Sequence, residues 1–167
     1  MPLLIALAIS IGLLAVVATW LFFGPLAAIA NVQIWQAFVA WASHYHSGGK
    51  ASGTRSTIIC MSFGALVGAL AVLLAGQLGA LGALAAPVAV GIGAAVLVLA
   101  AHIPLLASIP ASVYGFASIA GLILVGKVAP LDALVPTILS IVVGAAFGYA
   151  SEALGGVLAK KTGTATA

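Results

Sequence analysis

Ser56 to Gly126 reads STIICMSFGALVGALAVLLAGQLGALGALAAPVAVGIGAAVLVLAAHIPLLASIPASVYGFASIAGLILVG, and none of these 71 residues is Asp, Glu, Lys or Arg. A helix crosses the bilayer core with about 20 mostly apolar residues, so this stretch alone holds more than one crossing. Upstream, the first charged side chain is Lys50, after 49 residues without one. The whole chain is 65% hydrophobic and 4% charged, against roughly a quarter charged in a soluble domain. A water-soluble fold of 167 residues has too little interior to hide that surface. Lipid offers no partner for a backbone N–H or C=O, so helices are the spanning element. The ten-residue alternation of barrel strands is absent. The sequence predicts an all-α membrane protein.

Gly, Pro and charge divide the chain into six predicted transmembrane helices. They run from Leu3 to Phe23, Leu26 to His46, Arg55 to Ala75, Leu81 to Ala101, Ile103 to Val125 and Leu131 to Leu158. The first apolar run, which reaches Ala28-Ile29-Ala30, exceeds the core of a signal peptide and follows Met1-Pro2 without a basic residue. It is therefore expected to stay as the first span. Six spans put both termini on one face. Lys50, Arg55, Lys160 and Lys161 share that face and Lys127 lies opposite, a bias that marks the cytoplasmic side. Residues 160–167 are expected as a flexible cytoplasmic tail.

The halves match at an offset of about 75 to 80 residues. Pro25-Leu26-Ala27-Ala28 pairs with Pro104-Leu105-Leu106-Ala107, Trp41-Ala42-Ser43 with Phe116-Ala117-Ser118, and Ser56-Thr57-Ile58 with Pro136-Thr137-Ile138. Gly64 and Gly68 then pair with Gly144 and Gly148. Three spans per half is odd, so the second repeat (80–159) enters the membrane inverted relative to the first (1–79). Inverted repeats place a site near the midplane, between interrupted helices. The expected interruptions are Asn31 to Gln36 in the second span and Ser108 to Ser112, around Pro110, in the fifth; proline there removes a donor and frees carbonyls. Ser56, Cys60, Gly64 and Gly68, and likewise Ser140, Gly144, Gly148 and Gly156, form small-residue ridges. The two helices that carry them are expected to pack against each other or against a neighbouring subunit.

Polar residues inside the spans are the candidates for function. Asn31, Gln33 and Gln36 interleave with Trp35, Phe38 and Trp41, a pattern that suits a narrow pore replacing the hydration of a small polar solute. An aromatic belt is the structural alternative. Ser108, Pro110, Ser112, Tyr114 and Phe116 are the matching pore candidates in the second half. Glu152 is the one carboxylate well inside a span, Asp132 standing at the start of the sixth, and such a group is normally partnered. Its expected partner is Arg55, with His44, His46 and His102 gathered at the same cytoplasmic mouth. His44 and His46 stand two residues apart on different helix faces, which suits a shared metal poorly. The lone Cys60 excludes an intrachain disulfide, and five cations make no nucleic-acid surface. Asp132 and Glu152 fall toward opposite faces and cannot act together as acid and base. No enzyme activity, metal or cofactor is expected.

Three stretches carry a family resemblance: Trp35-x-x-Phe38 leading to Trp41-Ala42 and Gly48-Gly49; Ile109-Pro110-Ala111-Ser112-Val113-Tyr114-Gly115; and Gly144-x-x-Phe147-Gly148-Tyr149-Ala150. Together they resemble the small bacterial inner-membrane proteins catalogued as domain of unknown function 1097. The resemblance implies a multi-pass protein of the bacterial inner membrane and carries over no catalytic residue. The expected function is a channel or facilitator for a small neutral or weakly basic solute such as urea, ammonia or a related amide, working as a homo-oligomer. A structural or regulatory subunit of a larger membrane complex is the alternative from another class, and an ion- or proton-coupled transporter resting on Glu152 is a third.

Overall fold

The computed structural model describes residues 1–160, and among them every regular element is helical. The expected tail beyond Lys160 lies outside the described residues. Helix α1 (Leu3–Phe23) ends where Gly24 precedes Pro25, and α2 (Pro25–Ala30) starts there with proline in its first turn. Asn31 adopts a left-handed conformation, φ 49°, which Asn tolerates better than most residues. Extended Gln33 then starts α3 (Ile34–His46). Two glycines with positive φ, Gly48 and Gly49, turn the chain into α4 (Lys50–Gln77). A 3₁₀ stretch at Gly79–Leu84 leads to α5 (Ala85–Ala100), and another at Pro104–Leu106 precedes α6 (Ile109–Gly126). Helix α7 (Leu134–Lys160) closes the described chain.

Among the described residues, five helices are long and apolar enough to cross a membrane: Leu3–Phe23, Lys50–Gln77, Gly79–Ala100, Ile109–Gly126 and Leu134–Ala159. They correspond to predicted spans one, three, four, five and six. The predicted second span is not one helix, because Asn31 to Gln33 leave the helical conformation between α2 and α3. Gln36, expected at the interruption, lies inside α3. In the second half the non-helical residues come earlier than expected. Pro110 occupies the first turn of α6, where its missing N–H has no intrahelical partner to lose. Ser112 is therefore an ordinary helical residue.

Helix α4 lies along α6, and α3 lies along α7; α1 packs on α7 and α5 on α4. Helices α4 and α7 also touch, and α3 meets α6. Apolar burial does not drive helices together in lipid, so close packing of small residues has to. A methyl group at Gly64 would run into the Ser112 carbonyl, and one at Gly144 into that of Ala37. Gly68 lies against Phe116 and Ile119, and Gly148 against His44. The two glycine ridges thus receive α6 and α3, and the two helices that carry them also pack on each other, as expected. Helix α1 buries the narrow stripe Ala6, Ser10, Ala18 and Phe22, and α5 buries Ala85, Ala89, Gly93 and Leu97. Their remaining faces are apolar and exposed, as a lipid-facing helix requires.

Candidate functional site

Buried polar side chains collect in two places. The first is a seam where α3, α6 and α7 meet. Gln36, 0% exposed, donates from Nε2 to the Ser118 carbonyl at 3.0 Å and to Thr137 Oγ1 at 3.1 Å. Its Oε1 has no partner, and neither do the buried hydroxyls of Ser112 and Ser118. Gln33 donates its backbone N–H to Ser140 Oγ at 2.9 Å; outside this seam, Thr57 of α4 donates to Ser43 Oγ of α3 at 3.1 Å. An unpartnered buried oxygen costs about 1–3 kcal/mol, and the buried Ser62 hydroxyl of α4 is a fourth such atom.

The second place is the end of the bundle around Lys50. His44 Nε2 lies 3.0 Å from Glu152 Oε2, and that oxygen also accepts the Lys50 backbone N–H at 2.6 Å. A carboxylate at the start of the 28-residue α4 is held by the unsatisfied N–H groups of its first turn. Gly49 is required beside it: its φ is 65°, and an added methyl would lie 2.7 Å from Glu152 Oε1. On its other side His44 Nδ1 is 3.1 Å from Thr54 Oγ1, which is 3.0 Å from the Lys50 carbonyl. With Glu152 ionised, Nε2 must carry a hydrogen. A neutral ring then accepts the Thr54 proton at Nδ1; a charged ring donates to Thr54, which donates onward to Lys50. Glu152 therefore engages His44 and the Lys50 backbone, in place of the expected Arg55, which is exposed.

Ser151, next in chain to Glu152, fastens this end. Its hydroxyl accepts from Trp41 Nε1 at 2.9 Å, meets Tyr45 Oη at 2.8 Å and donates to the Gly148 carbonyl at 2.8 Å. Ser10 of α1 donates to the Ser151 carbonyl at 2.9 Å.

The remaining candidates scatter. Asn31 is exposed, and Gln33 turns its amide back to the Asn31 carbonyl at 3.1 Å. Trp35 and Phe38 are 40% and 39% exposed, with the end of the Trp35 ring over Gly121 of α6 and Phe38 stacked on Trp41. Trp41 is buried between Phe38 and Phe147, with ring centroids 5.8 and 5.5 Å away. Phe116 packs on Gly93, and Ser108 precedes α6 half-buried. His46 and His102 do not join His44: His46 Nδ1 lies 2.8 Å from Tyr114 Oη, and His102 Nδ1 lies 3.0 Å from the Leu99 carbonyl. Thr54, Ser118, Thr137 and Ser151 were not among the expected site residues. For Thr137 and Ser151 the sequence carried a usable clue, since both lie three or four residues from the Ser140–Gly144–Gly148 ridge and so face inward.

A family model described as "Protein of unknown function (DUF1097)" matches residues 8–156. The chain belongs to this family. Its matched region takes in both polar clusters, so seam and end lie inside the family's common core. No curated protein matches this DUF1097 chain. No solved structure matches it either. A multi-pass helical membrane protein is the class that the family match and the five long apolar helices support.

Proposed function

We propose that this DUF1097 protein is a facilitator that passes a small neutral or weakly basic solute (urea, ammonia or a related amide or amine) across the bacterial inner membrane. The observation that carries the reading is the buried amide of Gln36, which spans three helices and keeps its carbonyl oxygen free. Polar groups buried at membrane depth are costly and tend to mark a solute path. An unpaired acceptor oxygen fits the N–H groups of an uncharged amide or amine. It gives a cation no carboxylate.

The architecture behind this reading is a pair of inverted three-helix repeats, 1–79 and 80–159, with both termini cytoplasmic. Helix packing supports it: α3 on α7 and α1 on α7 are the counterparts of α6 on α4 and α5 on α4. The non-helical residues after α2 and before α6 occupy corresponding places, as interrupted helices would. The exposed apolar faces of α1 and α5 are available to lipid or to further copies in a homo-oligomer.

Stopped-flow light scattering on proteoliposomes with urea, and a pH-dye assay with methylammonium, test the function. Wild-type protein is expected to raise permeability to at least one solute, and Gln36→Leu to lower that gain about tenfold, the worth of one lost hydrogen bond. Leucine removes the unpaired oxygen, so folding should survive. Permeability equal to empty liposomes for every solute defeats the proposal. One observation favours a second reading as a structural subunit: Gly64, Gly115 and Gly144 sit directly on neighbouring backbone, which leaves no width between those helices. Co-purification of a larger membrane partner, with no flux, is the outcome that reading requires.

A further inference from the structure

We propose that an anionic phospholipid is bound in the groove between the first turns of α4 and the end of α7. The inference rests on the membrane reading and is independent of the solute. A cleft of about 430 Å³ is lined by Ala51, Thr54, Arg55, Ile58, Ile59 and Tyr149. A second cleft of about 270 Å³ is lined by Lys50, Ala51, Tyr149, Glu152 and Ala153, so the two share Ala51 and Tyr149. On α4 the lining positions recur at three- and four-residue steps, which makes them one face of the helix.

Chemistry along that face changes in one direction. Lys50 and Arg55 are exposed cations at the start of the helix, and the only ion pair among the described residues is His44 with Glu152. The one carboxylate at the groove is therefore already engaged by His44 and by the Lys50 backbone N–H. Ile58 and Ile59 follow one turn deeper, about 5 Å along the axis, and they are half-buried and apolar. Tyr149, half exposed, stands across from them with the amphipathic ring favoured at a membrane interface. A phosphate held by the cations with acyl chain laid over the isoleucines matches this order. A free anion would find an apolar floor under it. Anionic headgroups gain about fivefold in affinity for each nearby cation, which favours them over zwitterionic ones.

Spin-labelled phosphatidylglycerol and phosphatidylcholine, added to vesicles holding the full chain, test the proposal through the motionally restricted fraction of each label. Wild-type protein should restrict phosphatidylglycerol about fivefold or more over phosphatidylcholine. Lys50→Asn with Arg55→Gln should bring the two labels level; asparagine is chosen because Lys50 has a φ of 56°. Ile59→Trp fills the groove while keeping both cations, and should release phosphatidylglycerol as well. Lys127→Gln, at an exposed cation elsewhere, should change nothing. Excess soluble glycerol phosphate should leave the restricted fraction intact. Equal restriction of both lipids by wild-type protein overturns the proposal, as does a preference that survives in the double variant. Displacement by glycerol phosphate overturns it too, since the groove would then be a free-anion site.

Discussion

Where α6 crosses α4, Gly64 meets the Ser112 carbonyl and Gly68 meets Phe116 and Ile119; where α3 crosses α7, Gly144 meets the Ala37 carbonyl and Gly148 meets His44. The backbone device is the same, two glycines four residues apart that let another helix lie directly on them. The side chains that complete each crossing differ. At α4–α6, Ile119 belongs to an apolar cluster against which Val72 packs. At α3–α7 the equivalent places hold His44 and Glu152, joined at 3.0 Å. Val72 lies about 33 Å along α4 from Lys50, so the apolar finish and the polar finish belong to opposite ends of the bundle. A shared scaffold thus sets where helices cross, and a few side chains decide which end can carry charge or protons.

The comparison breaks most readily at the glycines. Gly64→Leu and Gly144→Leu should each destabilise the protein by about 3 kcal/mol or more, because the clash is with backbone, which cannot rotate away. Denaturant titration in micelles followed by helicity checks this. Tolerance of one change and not the other means the two crossings are not alike.

Exchange of the finishing pairs sharpens it. Glu152→Leu should cost about 2 kcal/mol by stranding the buried His44 ring, a figure kept below that of a fully buried pair because the Glu152 side chain is 32% exposed. His44→Ile with Glu152→Val should recover most of that loss, since apolar replacement of both partners is often neutral. A double-mutant cycle on thermal unfolding measures the coupling, and additive losses would mean that the pair does not act as a unit. In the other direction, Ile119→His should cost about 2 kcal/mol through an unpartnered buried imidazole, with Val72→Glu restoring part of it.

The smallest effect is expected at Trp41. Trp41→Phe keeps the stacked ring and removes the N–H bond to Ser151, for a loss of about 1 kcal/mol. A change within error would show that Ser151 is held well enough by Tyr45 and Gly148.

Much of this was legible from residue order. Gly, Pro and charge located five of the helices with ends within about six residues of the observed ones, and the four-residue spacing of Gly64–Gly68 and Gly144–Gly148 announced two close crossings. Residue order was less informative about Asn31, Gln33 and Gln36. Three amides within six residues looked equivalent, yet a left-handed Asn31 ends one helix and only Gln36 turns into the bundle. Pro110 was read as a break inside a helix, although a proline that opens a helix has the same sequence signature.

Composition and periodicity alone determined that the chain is helical and belongs in lipid, because the cost of exposing backbone and apolar side chains to the wrong solvent is a local property. Periodicity also marks which face of a helix turns inward, but it names no partner for that face. Only the tertiary structure decided that each glycine ridge receives α6 or α3, and that Glu152 holds His44 and the start of α4 instead of Arg55. Those choices join residues more than 100 positions apart in the Glu152 case, and they follow from how the helices pack, which no single stretch of sequence encodes.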